Sequence, residues 1–317
     1  MSPRLAAAPP PSVRVRAPGK VNLTLRVGPV GADGYHPLAT IFQAVSLFEE
    51  VTATQVAPGS GISLTVSGPQ ADVVPTDETN LAWRAAALLA ERTGLAADVG
   101  LHITKGVPVA GGMAGGSADA AATLVACDAL WDAGVPRPEL VEMAAELGAD
   151  VPFSLLGHTA AGTGRGDLLT PAMTRGEFHW CFATQRKGLS TPSVYRRFDE
   201  LAGPSTPDVA PAADDTELMH ALRAGDAVAL GKALHNDLEA PALDLRPELS
   251  EVLDVATDAG ALGVIVSGSG PTVAALGRSR QHALALGAAW TAADVVDAVW
   301  TATGPAPGTQ IVTSITR

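Results

Sequence analysis

Cysteine is nearly absent: Cys127 and Cys181 are the only two in 317 residues. They form no metal or redox motif, and so few thiols in so long a chain fit a reducing, cytoplasmic setting. Aromatic residues make up only 4% of the chain, with two tyrosines, so its cores must be built from Ala, Val and Leu. Basic charge is also scarce. Lys and Arg number 21 against 33 Asp and Glu, a formal net charge of −12. A protein that grips a nucleic-acid backbone is expected to be basic, so no nucleic-acid partner is expected. No apolar run reaches membrane-spanning length, which argues against a membrane partner. The seven histidines are scattered without H-x-x-x-H or H-E-x-x-H spacing, so no metal-ligand set is assigned.

What is present is enough chain for two domains, each with its own core. Strand and helix patterns are mixed rather than strictly alternating, which favours α+β layers over a doubly wound sheet. Residues 1–11, with Pro9-Pro10-Pro11, read as a disordered tail. Alternating strands are expected at 13–16 and 21–27, broken at Ala17-Pro18-Gly19-Lys20, and again at 38–56 and 61–67. A helix is expected over 80–93, capped by Asn80, and another over 137–147, with Pro138 at its start and Gly148 after its end. The Gly- and Thr-rich segment 158–167 marks a domain change, giving domains 12–165 and 166–317. Within the second, an acidic low-complexity loop near 202–215 reads as mobile surface. Helices at 216–224, 226–234, 247–259 and 280–292, a strand pair at 262–266 and 272–276, and a last strand at 310–316 complete the pattern.

The densest signal lies at residues 105–126. A strand over 99–104 runs into Pro108-Val109-Ala110-Gly111-Gly112-Met113-Ala114-Gly115-Gly116-Ser117-Ala118, and an Ala-rich helix follows, with Ser117 as its expected cap. A glycine turn at a helix start gathers unpaired backbone N–H groups at the positive end of the dipole, which suits a phosphate. No Lys-Ser or Lys-Thr pair follows the glycines, so the loop is not a Walker A motif, and the paired glycines do not make G-x-G-x-x-G. Charge compensation must therefore come from elsewhere: metal ions and a lysine of another segment.

Four further places could carry chemistry. Lys20 lies at the start of a strand with Asn22 on the same face, where it could enter a cleft or remain a solvated surface lysine. Asp150 follows a helix stop and precedes an apolar run at 151–153, expected as a short strand; it is a candidate base or a plain turn aspartate. Asp33-Gly34-Tyr35-His36 offers a flat ring and two imidazole nitrogens to a nucleobase, although Asp-Gly alone is turn chemistry. Ser267-Gly268-Ser269-Gly270-Pro271 is a second glycine turn, either a plain hairpin or a cleft wall. A serine nucleophile is unsupported, because no G-x-S-x-G elbow is present.

Taken together, these segments resemble the GHMP kinases. The stretch 108–121 resembles their phosphate loop, and the segments at 17–25, 32–44, 148–153, 236–239 and 267–271 resemble the branch that acts on a cytidine diphosphate sugar alcohol in isoprenoid precursor synthesis. The resemblance implies a two-domain fold with the active site in the interdomain cleft, and ATP as co-substrate with Mg²⁺. It gives Asp150 the role of catalytic base and Lys20 that of the lysine holding base and hydroxyl. ATP would rest on residues 108–118. Asn22, Tyr35 and His36 fall on substrate-contacting positions, and Tyr195 on the aromatic that closes a stack on cytosine. Two alternatives remain: another small-molecule kinase of the family, of homoserine or mevalonate type, and a non-catalytic nucleotide-binding module. Ala110 departs from the family's loop by replacing a glycine. The expected partners are small molecules only, and the expected state is a monomer or weak homodimer.

Overall fold

The computed structural model describes residues 10–32, 34–109, 111–202 and 215–315. Asp33, Ala110, residues 1–9 of the expected tail and 203–214 of the expected loop lie outside the described residues. The chain opens with strands β1 (Ser12–Val27), β2 (Leu38–Gln55) and β3 (Ile62–Ser67), followed by helix α1 (Leu81–Thr93) and strand β4 (Val99–Thr104). Helices α2 (Gly115–Trp131), α3 (Arg137–Leu147) and α4 (Val151–Leu156) come next, then strands β5 (Thr159–Thr163), β6 (Leu168–Pro171) and β7 (Phe178–Thr184). Helices α5 (Thr191–Ala202), α6 (Thr216–Ala224) and α7 (Ala227–Lys232) lead to a two-residue strand, β8 (His235–Asn236). Helices α8 (Glu239–Leu245) and α9 (Leu249–Asp258), strands β9 (Gly263–Val266) and β10 (Val273–Gly277), helix α10 (Arg280–Ala293), and strands β11 (Ala298–Gly304) and β12 (Gln310–Ile315) finish it.

Two sheets organise these elements. The larger has the order β12-β1-β2-β4-β3, with β5 beside β2, β6 beside β5 and β8 beside β1; the smaller runs β11-β7-β10-β9. The last strand therefore returns to pair antiparallel with the first. Helices α1 to α4 cover one face of the large sheet, around Val15, Val51, Leu89, Leu124 and Leu155. A second core joins the sheets themselves, with Val21, Leu23 and Ile41 of the large sheet against Trp180, Phe182 and Leu276 of the small one. The far face of the small sheet is closed by α9 and α10 through Val252, Leu286 and Trp290. Cys127 and Cys181 are both buried and free, as packing residues.

Several expectations are corrected. Strand β1 does not break at residues 17–20; it shifts register between Pro18 and Gly19 and continues, so that Lys20 pairs with Ala44 and Asn22 with Phe42. A register irregularity absorbs a proline that a regular ladder would reject. The apolar run after Asp150 is helix α4, because Pro152 in its first turn has the φ that a helix start requires. Within the Gly- and Thr-rich segment 158–167, Thr159–Thr163 form β5, which pairs with β2. Helix α5, the short helix α8 and strands β6 and β11 were not expected at all. The ends of the expected 202–215 loop are also ordered: Ala202 closes α5, and Asp215 is buried, accepting from Thr24 Oγ1 at 2.8 Å and from Arg26 Nη2 at 2.9 Å.

Asn80 does cap α1, its side chain accepting from Ala82 N at 2.8 Å. Between the sheets, the buried Trp180 indole donates to Gln43 Oε1 at 2.9 Å. Trp180→Phe would strand that acceptor in an apolar layer. A loss of about 1–3 kcal/mol is expected in denaturant unfolding.

Candidate active site

The glycine loop takes its shape from three backbone decisions. Gly112 has φ +72°, and a Cβ there would collide with Ser267 O of the turn between β9 and β10. Gly111 faces Thr272 so closely that any Cβ would meet its hydroxyl. Ala114 takes φ +60° and ends the loop, so α2 begins at Gly115 rather than at Ser117. Ser117 thus lies inside the first turn and is not the cap expected from sequence. No side chain caps this end of α2, so its first N–H groups stay available to an anion. Met113 and Ala118 point into the core and can serve a ligand only through their main chain.

Two cavities flank the loop. One, of 280 Å³, is lined by Val74, Asn80, Leu81, Val109, Gly115 and Gly116, with Lys105 and Asp119 in its wall. The other, of 150 Å³, holds Lys20, Asn22, Gly112, Ala114, Asp150, Gly268 and Ser269. A third and larger cleft of 690 Å³ contains Tyr35, His36, Arg165, Tyr195 and Asp199. Leu38, Arg165, Thr191 and Tyr195 line both the 690 Å³ cleft and the Lys20 cavity, so the two spaces meet.

Lys20 and Asp150 come together as the sequence suggested. Lys20 Nζ lies 4.0 Å from Asp150 Oδ2 and donates to Asn22 Oδ1 at 2.6 Å. Asn22 is fixed in turn by donating to Thr40 Oγ1 at 2.8 Å. Burial holds the Lys20 pKa below its ordinary value, and the Asp150 carboxylate partly opposes that shift. Asp150 sits at the start of α4 with its side chain 35% exposed, so its carboxylate reaches the cavity while Val151 and Phe153 behind it are buried.

In the large cleft, His36 is held at both nitrogens. Nδ1 lies 2.8 Å from Gly28 O, and Nε2 lies 3.5 Å from Asp199 Oδ2. Tyr195 packs on the His36 ring at 5.1 Å between centroids, tilted by 31°. Burial, and secondarily the Asp150 charge, raise its phenol pKa. Tyr35 is 56% exposed, with the Arg165 guanidinium 5.4 Å from its ring centroid.

Sequence reasoning missed a buried ion triad beneath the loop. Lys105 Nζ contacts Glu49 Oε1 at 2.6 Å and Asp119 Oδ2 at 2.7 Å, while Glu49 Oε2 accepts from Gly106 N at 2.9 Å. All three side chains are buried. Their partners lie on β2, after β4 and on α2, and no local pattern marks that meeting. Gln70, which accepts from Val109 N at 2.9 Å, and the Thr191–Ser269 hydroxyl pair at 2.8 Å were missed for the same reason.

Comparison with known proteins identifies the family of the chain. The family models described as "GHMP kinases N terminal domain" and "GHMP kinases C terminal" match residues 80–158 and 218–295. The 4-diphosphocytidyl-2-C-methyl-D-erythritol kinase of Thermobifida fusca is 54% identical over 309 residues, covering 96% of this chain and 99% of that protein. The chain belongs to the GHMP kinases, among the 4-diphosphocytidyl-2-C-methyl-D-erythritol kinases. The enzyme so named from Streptomyces coelicolor is 52% identical over 302 residues, covering 95% of this kinase and 99% of that one. A crystal structure of 4-(cytidine 5'-diphospho)-2C-methyl-D-erythritol kinase superposes with TM-score 0.75 at 34% identity, covering 92% of this kinase and 99% of that chain. Homoserine kinase from Cytophaga hutchinsonii shares the fold at TM-score 0.76 with 20% identity, over 98% of this kinase and 100% of that chain. Among the described residues, no helix is long and apolar enough to cross a membrane.

The triad makes a pH prediction. Burial, then the Asp119 carboxylate, push the Glu49 pKa up from 4.5 to about 8, with Lys105 opposing. Between those values the native chain holds a proton that the unfolded chain has released, so stability falls as pH rises across that window. Glu49→Gln should flatten this slope, as read by urea unfolding at pH 5, 6.5 and 8.

Proposed function

We propose that this kinase transfers the γ-phosphoryl group of ATP to the 2-hydroxyl of 4-diphosphocytidyl-2-C-methyl-D-erythritol, giving the 2-phosphate and ADP. One observation carries the reading: the Lys20–Asp150 cavity opens into the aromatic cleft of Tyr35, His36 and Tyr195. An alcohol presented to Asp150 is thereby tied to a space shaped for a flat ring. A homoserine- or mevalonate-type kinase would leave that cleft without a purpose. A binding module without catalysis would have no need of a buried lysine beside a carboxylate.

In this reading ATP crosses the loop. Its nucleoside end occupies the 280 Å³ cavity near Asn80 and Leu81, and its phosphates rest on the Gly111–Gly116 backbone and the uncapped start of α2. Asp150 accepts the hydroxyl proton, and Lys20, 4.0 Å from it, stabilises charge on the transferring group. Asn22 keeps Lys20 in place. Placing the alcohol in line with the γ-phosphorus supplies much of the acceleration, since phosphoryl transfer asks the protein for position and charge more than covalent chemistry.

Mg²⁺ fits the site without a dedicated cage, because it binds through one or two protein oxygens plus substrate phosphates. Among the described residues, no group of three acidic, His or Cys side chains could hold a metal. Asp119, which lines the 280 Å³ cavity and whose Oδ1 has no hydrogen-bond partner, is the carboxylate suited to it. Bound there, the ion would neutralise phosphate charge.

Tyr35 and Tyr195 bracket the cytosine, and His36, fixed by Gly28 and Asp199, gives the cleft a rigid floor. Asp150→Asn and Lys20→Ala should each lower kcat by about 10²–10⁴-fold in a coupled ADP-release assay, with ATP binding retained. Near-normal turnover in either variant sinks the assignment. Tyr35→Ala should raise KM for the cytidyl substrate about 5- to 150-fold, the value of one base stack, and leave KM for ATP unchanged.

A further inference from the structure

The hairpin between β5 and β6 carries a cation at the point where two cavities meet. Arg165 stands between Gly164, at φ +68°, and Gly166, at φ +95°. The turn is pinned rather than loose. Gly166 N donates to Thr163 O at 3.0 Å, Arg165 N to Asp167 Oδ1 at 3.0 Å, and Leu38 N to Gly164 O at 2.7 Å. Four described residues line both the aromatic cleft and the Lys20–Asp150 cavity, and Arg165 is the one charged residue among them. The other arginine of the cleft, Arg196, does not reach the smaller cavity.

The guanidinium now rests on weak partners. Its Nη2 contacts Asp167 Oδ2 at 3.2 Å and Ala145 O, in the last turn of α3, at 3.4 Å. It also hangs beside the Tyr35 ring. The side chain is exposed, so those contacts are easily exchanged for a better anion. Glu146 and Asp199 line the same cleft, and the whole chain is strongly acidic, so an anion crossing here needs a local cation.

We propose that Arg165 binds the diphosphate of the cytidyl substrate, bridging the nucleobase cleft and the reacting hydroxyl. This rests on the cytidyl reading above. A molecule with its base against Tyr35 and its alcohol at Asp150 must pass its two phosphates through the junction that Arg165 occupies. The planar guanidinium offers paired N–H groups to phosphate oxygens, which an ammonium does not. Arg165 then sets specificity in two ways: it rewards a diphosphate over a neutral linker, and it fixes the distance between the base and the reacting hydroxyl.

The test compares cytidine, CMP and CDP as ligands of the full-length protein by isothermal titration, in wild type and in Arg165→Gln and Arg165→Lys. Wild type should bind CDP more tightly than cytidine. Arg165→Gln should erase most of that preference, weakening CDP about 10- to 100-fold while cytidine stays within about twofold, the size expected for charge-assisted hydrogen bonds. Arg165→Lys should restore part of it. Substrate KM should rise in parallel with KM for ATP unmoved, and the unfolding midpoint should stay put because the side chain is exposed. An unchanged CDP-to-cytidine ratio in Arg165→Gln overturns the assignment while leaving the cytidyl reading intact. A wild type that binds neither ligand overturns that reading, and Arg165's role with it.

Discussion

The site depends on a lysine buried between two acidic side chains. Lys105 leaves the end of β4, Glu49 projects from β2 and Asp119 from the first turns of α2, and the three side chains meet beneath the glycine loop. Pairs buried this way are costly to desolvate and are expensive to break once formed. Their effect is geometric. The triad ties the strand before the loop, the neighbouring strand and the helix after it to one point, and Glu49 also takes the Gly106 N–H as the loop begins. The uncapped end of α2 can present bare N–H groups because something other than a cap fixes its position.

The second constraint is proximity between the two halves. The turn between β9 and β10 presses on the loop: Ser267 Oγ donates to Gly112 O at 3.2 Å, and Asn236 Nδ2 donates to the carbonyls of Val266 and Gly268, both at 2.8 Å. A Cβ on Gly268 would come within 3.3 Å of Lys20 Nζ. The glycines at 111, 112 and 268 therefore let two backbones close over a buried ammonium. Flexibility is not their contribution. That contact shields one side of Lys20 from solvent and contributes to the burial that lowers its pKa.

Much of this was legible in the sequence, for physical reasons. Periodicity and end signals located α1 and α3 because Asn80 and Pro138 sit where helix starts need them. Lys20 and Asn22 were readable as one face because a strand alternates, and the register shift that follows comes after Asn22. The failures share a cause. Pro18-Gly19 reads as a break to any local rule, yet the long antiparallel partner β2 carries the strand through. Ser117 resembles a cap, but the left-handed Ala114 starts the helix two residues earlier. Helix α5 brings Tyr195 against His36, and the triad brings Glu49 to Asp119, through contacts between distant segments that leave no spacing to count.

The remaining question is how a chain of net charge −12 handles two polyphosphates at once. Neutralising them with a general basic surface would attract nucleic acid as readily as ATP. This fold instead delivers positive potential at three separated points. In the proposed reading, backbone N–H groups would serve one phosphate run without any side-chain charge and Lys20 the transferring group, while Arg165 stands over the passage to the aromatic cleft. Each is local and backed by acidic neighbours, which offset its field away from the site itself. An anion gains only by fitting several points at their fixed spacing. A free phosphate or a nucleic-acid backbone meets one such point amid repulsion, whereas a nucleoside diphosphate joined to an alcohol can meet two. Selectivity then follows from an acidic surface with sparse, well-placed cations, and the scarcity of Lys and Arg becomes part of the recognition.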